Sequence, residues 1–303
     1  MDIYLPIVGM SQSVIVLLLL GGAVGFLSGI FGVGGGWLMT PLLIFIGIPP
    51  IFAVAASANQ LVGSSVAGTL AQWRRGNIDF TMGLVMLAGG LVGSALGVWL
   101  FAVLRRIGQI EIAINFAYIL MLGSLGIFML FESVRAILFR QPAVRRKLHQ
   151  HSWVHGLPLK MRFRRSKLYI SAIAPAAVGF AGGFLSGVLG VGGGFLMVPA
   201  MIYLLDMPTA LVPGTSLFQI IFVAASVTIL QSVENGTVDI VLALILLVGG
   251  VIGVRFGTRV GARLKGEYFR VLLGMLVLAA AVKLAADLTI TPRDLYSLDL
   301  RAP

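Results

Sequence analysis

The sequence predicts an all-α polytopic membrane protein made of two homologous halves with five segments each. Three observations carry this. Of the 303 residues, 58% are hydrophobic and 11% are charged, and the mean hydropathy is +1.02, well outside the composition of soluble domains. The stretch Leu27-Ser28-Gly29-Ile30-Phe31-Gly32-Val33-Gly34-Gly35-Gly36 returns as Leu185-Ser186-Gly187-Val188-Leu189-Gly190-Val191-Gly192-Gly193-Gly194, followed by Leu38, Met39 and Pro41 in one copy and Leu196, Met197 and Pro199 in the other. Ten of the 22 Lys and Arg residues lie between Arg135 and Lys167, in the polar stretch between the copies.

The elements follow in order. Met1–Ser13 holds no Lys or Arg, and residues 14–31 form a first apolar segment long enough to span a bilayer. It has no basic n-region or cleavage site, so it is expected to remain as a span. Three consecutive glycines propagate a helix poorly, each costing about 1 kcal/mol against alanine. The apolar run after them, 37–48, ends at Pro49-Pro50; at about 1.5 Å per residue it falls short of a bilayer core of roughly 30 Å. Segments one and two therefore read as a hairpin with a short or re-entrant second arm. Residues 52–72 form a third, unusually polar segment. Residues 80–104 form a fourth, rich in Gly83, Gly89, Gly90, Gly93, Ser94 and Gly97, which permits close helix approach. Residues 110–131 form the fifth. The second half repeats this as 171–189, 195–205, 209–231, 239–263 and 268–287, with Gly249-Gly250, Gly253 and Gly257 answering Gly89-Gly90, Gly93 and Gly97. The expected division is 1–131 first transmembrane repeat, 132–169 basic cytoplasmic loop, 170–288 second transmembrane repeat and 289–303 C-terminal tail.

The Lys/Arg bias places the 135–167 stretch in the cytoplasm and both termini outside. An odd number of net crossings per half then makes the halves inverted repeats. Arg105-Arg106 is the one basic pair on the wrong side. The net charge of +11 belongs largely to that loop, so anionic lipid at 135–167 is the expected partner and nucleic acid is not. The chain has no cysteine, which excludes disulfides and thiolate metal sites. His149, His151 and His155 have no carboxylate or thiol nearby and read as a solvated loop; no metal or cofactor is expected.

Two groups of residues are candidates for a site. Successive glycine N–H groups followed by a helix N-terminus make an anion nest, here Gly34, Gly35 and Gly36 with Gly192, Gly193 and Gly194. Tight helix packing explains the same glycines without a ligand. No dinucleotide fingerprint is present, since Trp37 follows and no Gly-Lys-Ser/Thr does. The second group is polar: Ser57, Asn59 and Gln60 on the third segment, Thr215, Ser216 and Gln219 on the eighth. Hydrogen bonds between helices account well for Thr69, Ser226 and Thr228, whereas Asn59, Gln60 and Gln219 are costlier to bury and better suited to a ligand. Arg255, whose counterpart is Ala95, reads either as a snorkelling topology signal or as a secondary anion attractor. No Asp, Glu or His falls in the middle of a span; Asp79, Glu111, Glu132, Asp239 and Glu267 all sit at segment ends. Neutral donors without acids suit an anion and suit a cation badly.

The doubled Leu-Ser-Gly-x-x-Gly-Val-Gly-Gly-Gly with its following proline resembles the sulfite exporter TauE/SafE family, also called the toluenesulfonate uptake permease family, over residues 14–131 and 171–288. The resemblance implies a multi-pass anion transporter of the bacterial cytoplasmic (inner) membrane handling sulfite, organosulfonates or related small anions. Ser57-Ala58-Asn59 and Gly214-Thr215-Ser216 look like the family's polar patch, while the basic insertion is longer than the family pattern. The expectation is an exporter that alternates access by rocking its halves around a midplane site. The alternatives are an anion channel and a carrier of small organic carboxylates. An intramembrane enzyme is opposed by the residues: no His activates Ser28 or Ser186, and no carboxylate pair or metal set exists.

Overall fold

The computed structural model describes residues 2–32, 34–139, 158–261 and 266–289. His149, His151 and His155, most of the basic 135–157 stretch and the tail after Thr289 lie outside the described residues. Ten helices are present among the described residues: α1 Val14–Phe31, α2 Gly36–Phe45, α3 Pro50–Arg74, α4 Phe80–Arg106, α5 Ile110–Phe139, α6 Ile173–Leu189, α7 Gly194–Tyr203, α8 Val212–Leu230, α9 Ile240–Gly261 and α10 Gly266–Thr289. Five are long and apolar enough to cross a membrane: α3, α4, Ile110–Ile127 of α5, Val212–Asn235 and Ile240–Val260. The chain falls into two compact units, Met1–Ile114 with Gln141–Gly266, and Asn115–Arg140 with Glu267–Pro303.

Local chemistry explains the helix ends. α1 stops at Gly32, which takes the left-handed conformation (φ 66°) and returns its N–H to the Ser28 carbonyl at 2.8 Å. α6 stops in the same way at Gly190 (φ 69°), bonded to Ser186 at 2.8 Å. Such a cap is costly for any residue with a Cβ. α2 and α7 are each 10 residues long, about 15 Å, as the short-arm reading requires. The second half carries two residues more than the first. One is absorbed before α8, and the other in a single π-helical turn, Gln231–Asn235, at the end of α8.

One feature was not legible as structure. Each half begins with a two-stranded antiparallel hairpin: β1 Asp2–Leu5 with β2 Met10–Ser13, and β3 Lys160–Phe163 with β4 Leu168–Ser171. The second hairpin occupies the end of the stretch expected to be a basic loop. Its inward-facing Phe163 and Ile170 are buried in a cluster with Met82, Met86, Met197 and Met201.

In the first unit the halves are interleaved. α1 packs on α9, from the other half, and α6 packs on α4. A Cβ built on Gly21 would lie 2.7 Å from the Leu246 carbonyl oxygen, and one on Gly29 would lie 2.6 Å from that of Val254; Gly25 meets Gly250 more closely still. Gly249, Gly253 and Gly257 of α9 meet Leu18, Gly22 and Phe26 of α1 in return. The α6/α4 pair repeats this position for position, with Gly179, Gly183 and Gly187 against Met86, Gly90 and Ser94, and Gly89, Gly93 and Gly97 against Ala176, Phe180 and Phe184. Contacts rise together along both chains, so α1 runs parallel to α9 and α6 parallel to α4. Backbones this close pack only because the side chains are missing. α3 and α8 meet in the opposite sense: Ala58 clusters with Val223 and Val227, Leu61 with Ile220 and Ala224, and Gly68 faces Leu217. Rising numbers on α3 meet falling numbers on α8, so these equivalent helices are antiparallel. In the second unit, Gly126 of α5 packs against the backbone of Leu278 in α10.

Candidate functional site

The two glycine turns come together. A Cβ on Gly36 would lie 2.6 Å from the Gly190 carbonyl oxygen and 2.9 Å from the Val191 carbonyl carbon. A Cβ on Gly34 would lie 3.1 Å from Leu61 and 3.4 Å from Ile220, and one on Gly192 would lie 2.7 and 3.4 Å from the same two side chains. The turns thus close on an apolar pair, Leu61 and Ile220, both fully buried. They are not identical in backbone: Gly35 has φ −87°, whereas Gly193 has φ 69°. A Cβ on Gly193 would also run into the Gly182 backbone, at 2.6 Å from its carbonyl carbon. Packing and backbone geometry therefore account for glycine at 193 without a ligand. Gly194 is buried at the start of α7, and neither α2 nor α7 has a side-chain N-cap.

The polar candidates separate into two classes. Ser57 Oγ donates to the Ala53 carbonyl at 2.7 Å and accepts from Thr40 Oγ1 at 2.7 Å. Ser216 Oγ reaches the carbonyls of Gly32 at 3.0 Å and Pro213 at 3.1 Å. Thr215 Oγ1 donates to the Leu211 carbonyl at 2.8 Å and accepts from the Asp79 N–H at 3.0 Å. These three hydroxyls are committed within the chain, and Asn59 is only half-buried. Gln60 and Gln219 differ: both are 0% exposed, and in each the amide nitrogen and oxygen alike lack a hydrogen-bond partner. Arg255 is exposed on α9.

The orphaned groups repeat across the halves. Ser28 and Ser186, Gln60 and Gln219, and Thr69 and Thr228 are equivalent pairs, and each member has an unpartnered buried polar atom. Burying such an atom costs about 1–3 kcal/mol, so its appearance at equivalent places in two diverged halves calls for a use. Ser28 and Ser186 lie within the repeated motif but gave no signal beyond their position in it.

Each glutamine has a partner glycine. The three atoms nearest a Cβ on Gly250 all belong to Gln60, with Cδ at 3.2 Å and Cγ at 3.3 Å; a Cβ on Gly90 would meet the Gln219 amide nitrogen and Val223 at 2.8 Å. The doublets therefore divide their work. Gly89 and Gly249 admit a neighbouring helix backbone, and Gly90 and Gly250 leave room for an amide. Sequence reasoning assigned all four to packing.

Asp79 and Asp239 are buried and fully engaged. Asp79 caps α4 through Met82 N–H at 3.1 Å and accepts from the N–H and hydroxyl of Ser166, in the β3–β4 turn, at 3.0 and 2.6 Å. Asp239 caps α9 through Val241 and Leu242 at 3.0 and 3.1 Å and accepts from Ile7 N–H, in the β1–β2 turn, at 2.9 Å. Arg105, of the pair expected on the wrong side, also has a local role, donating to the Asn235 carbonyl.

Comparison with known proteins extends this picture. The family model described as "Sulfite exporter TauE/SafE" matches residues 17–284. Relatives include "Probable membrane transporter protein YjnA" of Bacillus subtilis, 28% identical with 88% of this chain and 98% of the relative covered. A "Probable membrane transporter protein" of Xylella fastidiosa is 30% identical over 89% of this chain and 94% of its own length. No solved structure matches.

Proposed function

This chain belongs to the sulfite exporter TauE/SafE family, and from that premise we propose that it exports small oxyanions, sulfite or organosulfonates, across the bacterial cytoplasmic membrane by alternating access. Membership and the relatives' names make it a membrane transporter rather than an enzyme. The observation that carries the substrate class is the pair of buried, unpartnered carboxamides, Gln60 and Gln219. A neutral amide donates to an anion without first having to be stripped of a proton or a counter-ion. Both buried aspartates near these helices are already occupied in capping, which leaves neither of them to hold a cation.

The helix directions support inverted repeats. α3 and α8 are equivalents that cross antiparallel, while α1/α9 and α6/α4 run parallel, the combination expected of inverted repeats. The moving bodies are then the glycine-packed pairs, each drawn from both halves of the sequence, with the α3/α8 seam between them. At the turn end of β3–β4, Arg162, Arg164, Lys167 and Tyr169, with Phe163 and Leu168, line a concavity of about 900 Å³; anionic lipid headgroups are proposed to occupy it.

The test is flux from proteoliposomes. Sulfite or a short alkanesulfonate is expected to move, and divalent metals and amines are not. Metal flux with no response to any sulfur oxyanion would overturn the reading.

A further inference from the structure

We infer that the chain holds two anion sites rather than one, related by its internal repeat, and that each selects an oxyanion carrying its own hydrogen-bond donor. The inference rests on the transport reading and deepens it. It starts from where the glutamines point. Gln60 leaves α3 towards Gly250 of α9, and Gln219 leaves α8 towards Gly90 of α4. Between these two clefts runs the α3/α8 seam, built from Ala58, Leu61, Ile220, Val223 and Val227. Leu61 and Ile220 directly follow the two glutamines in sequence. A helix turns about 100° per residue, so on each helix the apolar side chain faces the seam while the amide faces the outer cleft. In this conformation the seam between them is apolar, and the glycine turns close on its Leu61 and Ile220.

The chemistry of each amide narrows the ligand further. Both the nitrogen, a donor, and the oxygen, an acceptor, are unpartnered, so the finding does not depend on which way the amide is turned. A bare dianion satisfies the nitrogen and repels the oxygen. An anion with an acidic proton, a hydroxyl or an ammonium group satisfies both. Hydrogensulfite fits, as does a sulfonate with a hydroxyl one or two carbons away. A plain alkanesulfonate leaves the amide oxygen orphaned, and sites built to pair a hydroxyl discriminate against analogues that lack it.

The experiment is equilibrium titration of the full-length protein in nanodiscs with 2-hydroxyethanesulfonate and with ethanesulfonate, alongside flux of both from proteoliposomes. Two equivalents of 2-hydroxyethanesulfonate are expected to bind, with ethanesulfonate at least about tenfold weaker, the worth of one hydrogen bond. Gln60→Met and Gln219→Met are each expected to leave one equivalent, and the double variant none. Gly250→Ala offers a second route to the same cleft, because its methyl group meets the Gln60 amide first; it is also expected to leave one equivalent. A single equivalent in the native chain, abolished by either glutamine variant, would overturn the duplication. Equal affinity for the two sulfonates would overturn the donor requirement, and that arm needs no variant. If neither sulfonate nor sulfite moves through the native protein, the transport reading itself fails. If they move with a stoichiometry of one, only the present inference fails.

Discussion

Replacing Gln60 with methionine separates use from packing, because the two make opposite forecasts for stability. Gln60 is 0% exposed and both its amide atoms are unpartnered. Methionine has nearly the same length and shape and makes no polar demand. If the amide is held ready for a ligand, the ligand-free protein bears its desolvation at about 1–3 kcal/mol per orphaned group, and Gln60→Met relieves it. The unliganded variant is expected to melt higher, by no more than the roughly 2–4 °C per kcal/mol of somewhat shorter chains, while losing oxyanion flux. Gln219→Met should behave alike. The two amides pack on different helices, Gln60 on α9 and Gln219 on α4, so the stability gains should add within about 0.5 kcal/mol. Thermal unfolding and proteoliposome flux, measured on one preparation, decide the matter. A lowered melting temperature with normal flux in both variants would show that the amides serve the fold and would remove them from the transport path.

Three further outcomes are expected. Gly25→Ala should destabilise by about 1–3 kcal/mol through overpacking against the Gly250 backbone, whereas Gly22→Ala, whose nearest neighbour would be 3.8 Å away, should be neutral or stabilising; melting temperatures check both. Asp79→Asn should weaken the hold on Ser166 and speed amide exchange in 160–171, and Asp239→Asn should do so in 2–13, each at a cost of about 1.5–3 kcal/mol for a charged hydrogen bond; hydrogen exchange that loosens the hairpin of the aspartate's own half would refute the crossed clamp. The native chain lacks cysteine, so Met161→Cys and Gln12→Cys give clean labels, and an impermeant maleimide should reach the first only from the cytoplasm and the second only from outside; the reverse would invert the topology.

Much of this was legible because it is written twice. The helix segments, the short α2 and α7 and the approach of the glycine turns all follow from a repeat whose apolar runs are broken at the same places. The sequence also singled out Asn59, Gln60 and Gln219, since a carboxamide on an apolar helix is expensive to bury wherever it lies; of these Asn59 is only half-buried. It kept Ser57, Thr215 and Ser216 beside them as candidates. Short hydroxyls find a carbonyl one turn back on their own helix, as Ser57 does with Ala53 and Thr215 with Leu211, and that economy depends on rotamers. The hairpins were hidden for another reason. Asp2–Ser13 and Lys160–Ser171 share almost no residues, because one is nearly free of charge and the other is strongly basic. What they share is strand register and an inward side chain, Leu5 or Phe163.

The crossing of the halves was hidden by the repeat itself. Gly21, Gly25 and Gly29 have the same spacing as Gly179, Gly183 and Gly187, so the glycine face of α9 has no local preference between α1 and α6. The hairpins supply the choice. β2 runs directly into α1, and the turn before it is held at Ile7 by Asp239, the residue that caps α9. The start of α1 is thereby fixed beside the start of α9, which is the alignment a parallel glycine interface needs. Ser166 and Asp79 do the same for α6 and α4. Each aspartate thus links a helix cap, a hairpin of the opposite half and a close-packed helix pair. Asp79 carries one link more, because its own N–H bonds Thr215, four residues before Gln219 on α8. The Asp79–Thr215 bond therefore ties the start of α4 to the first turns of α8, the helix whose Gln219 amide also packs on Gly90 of α4.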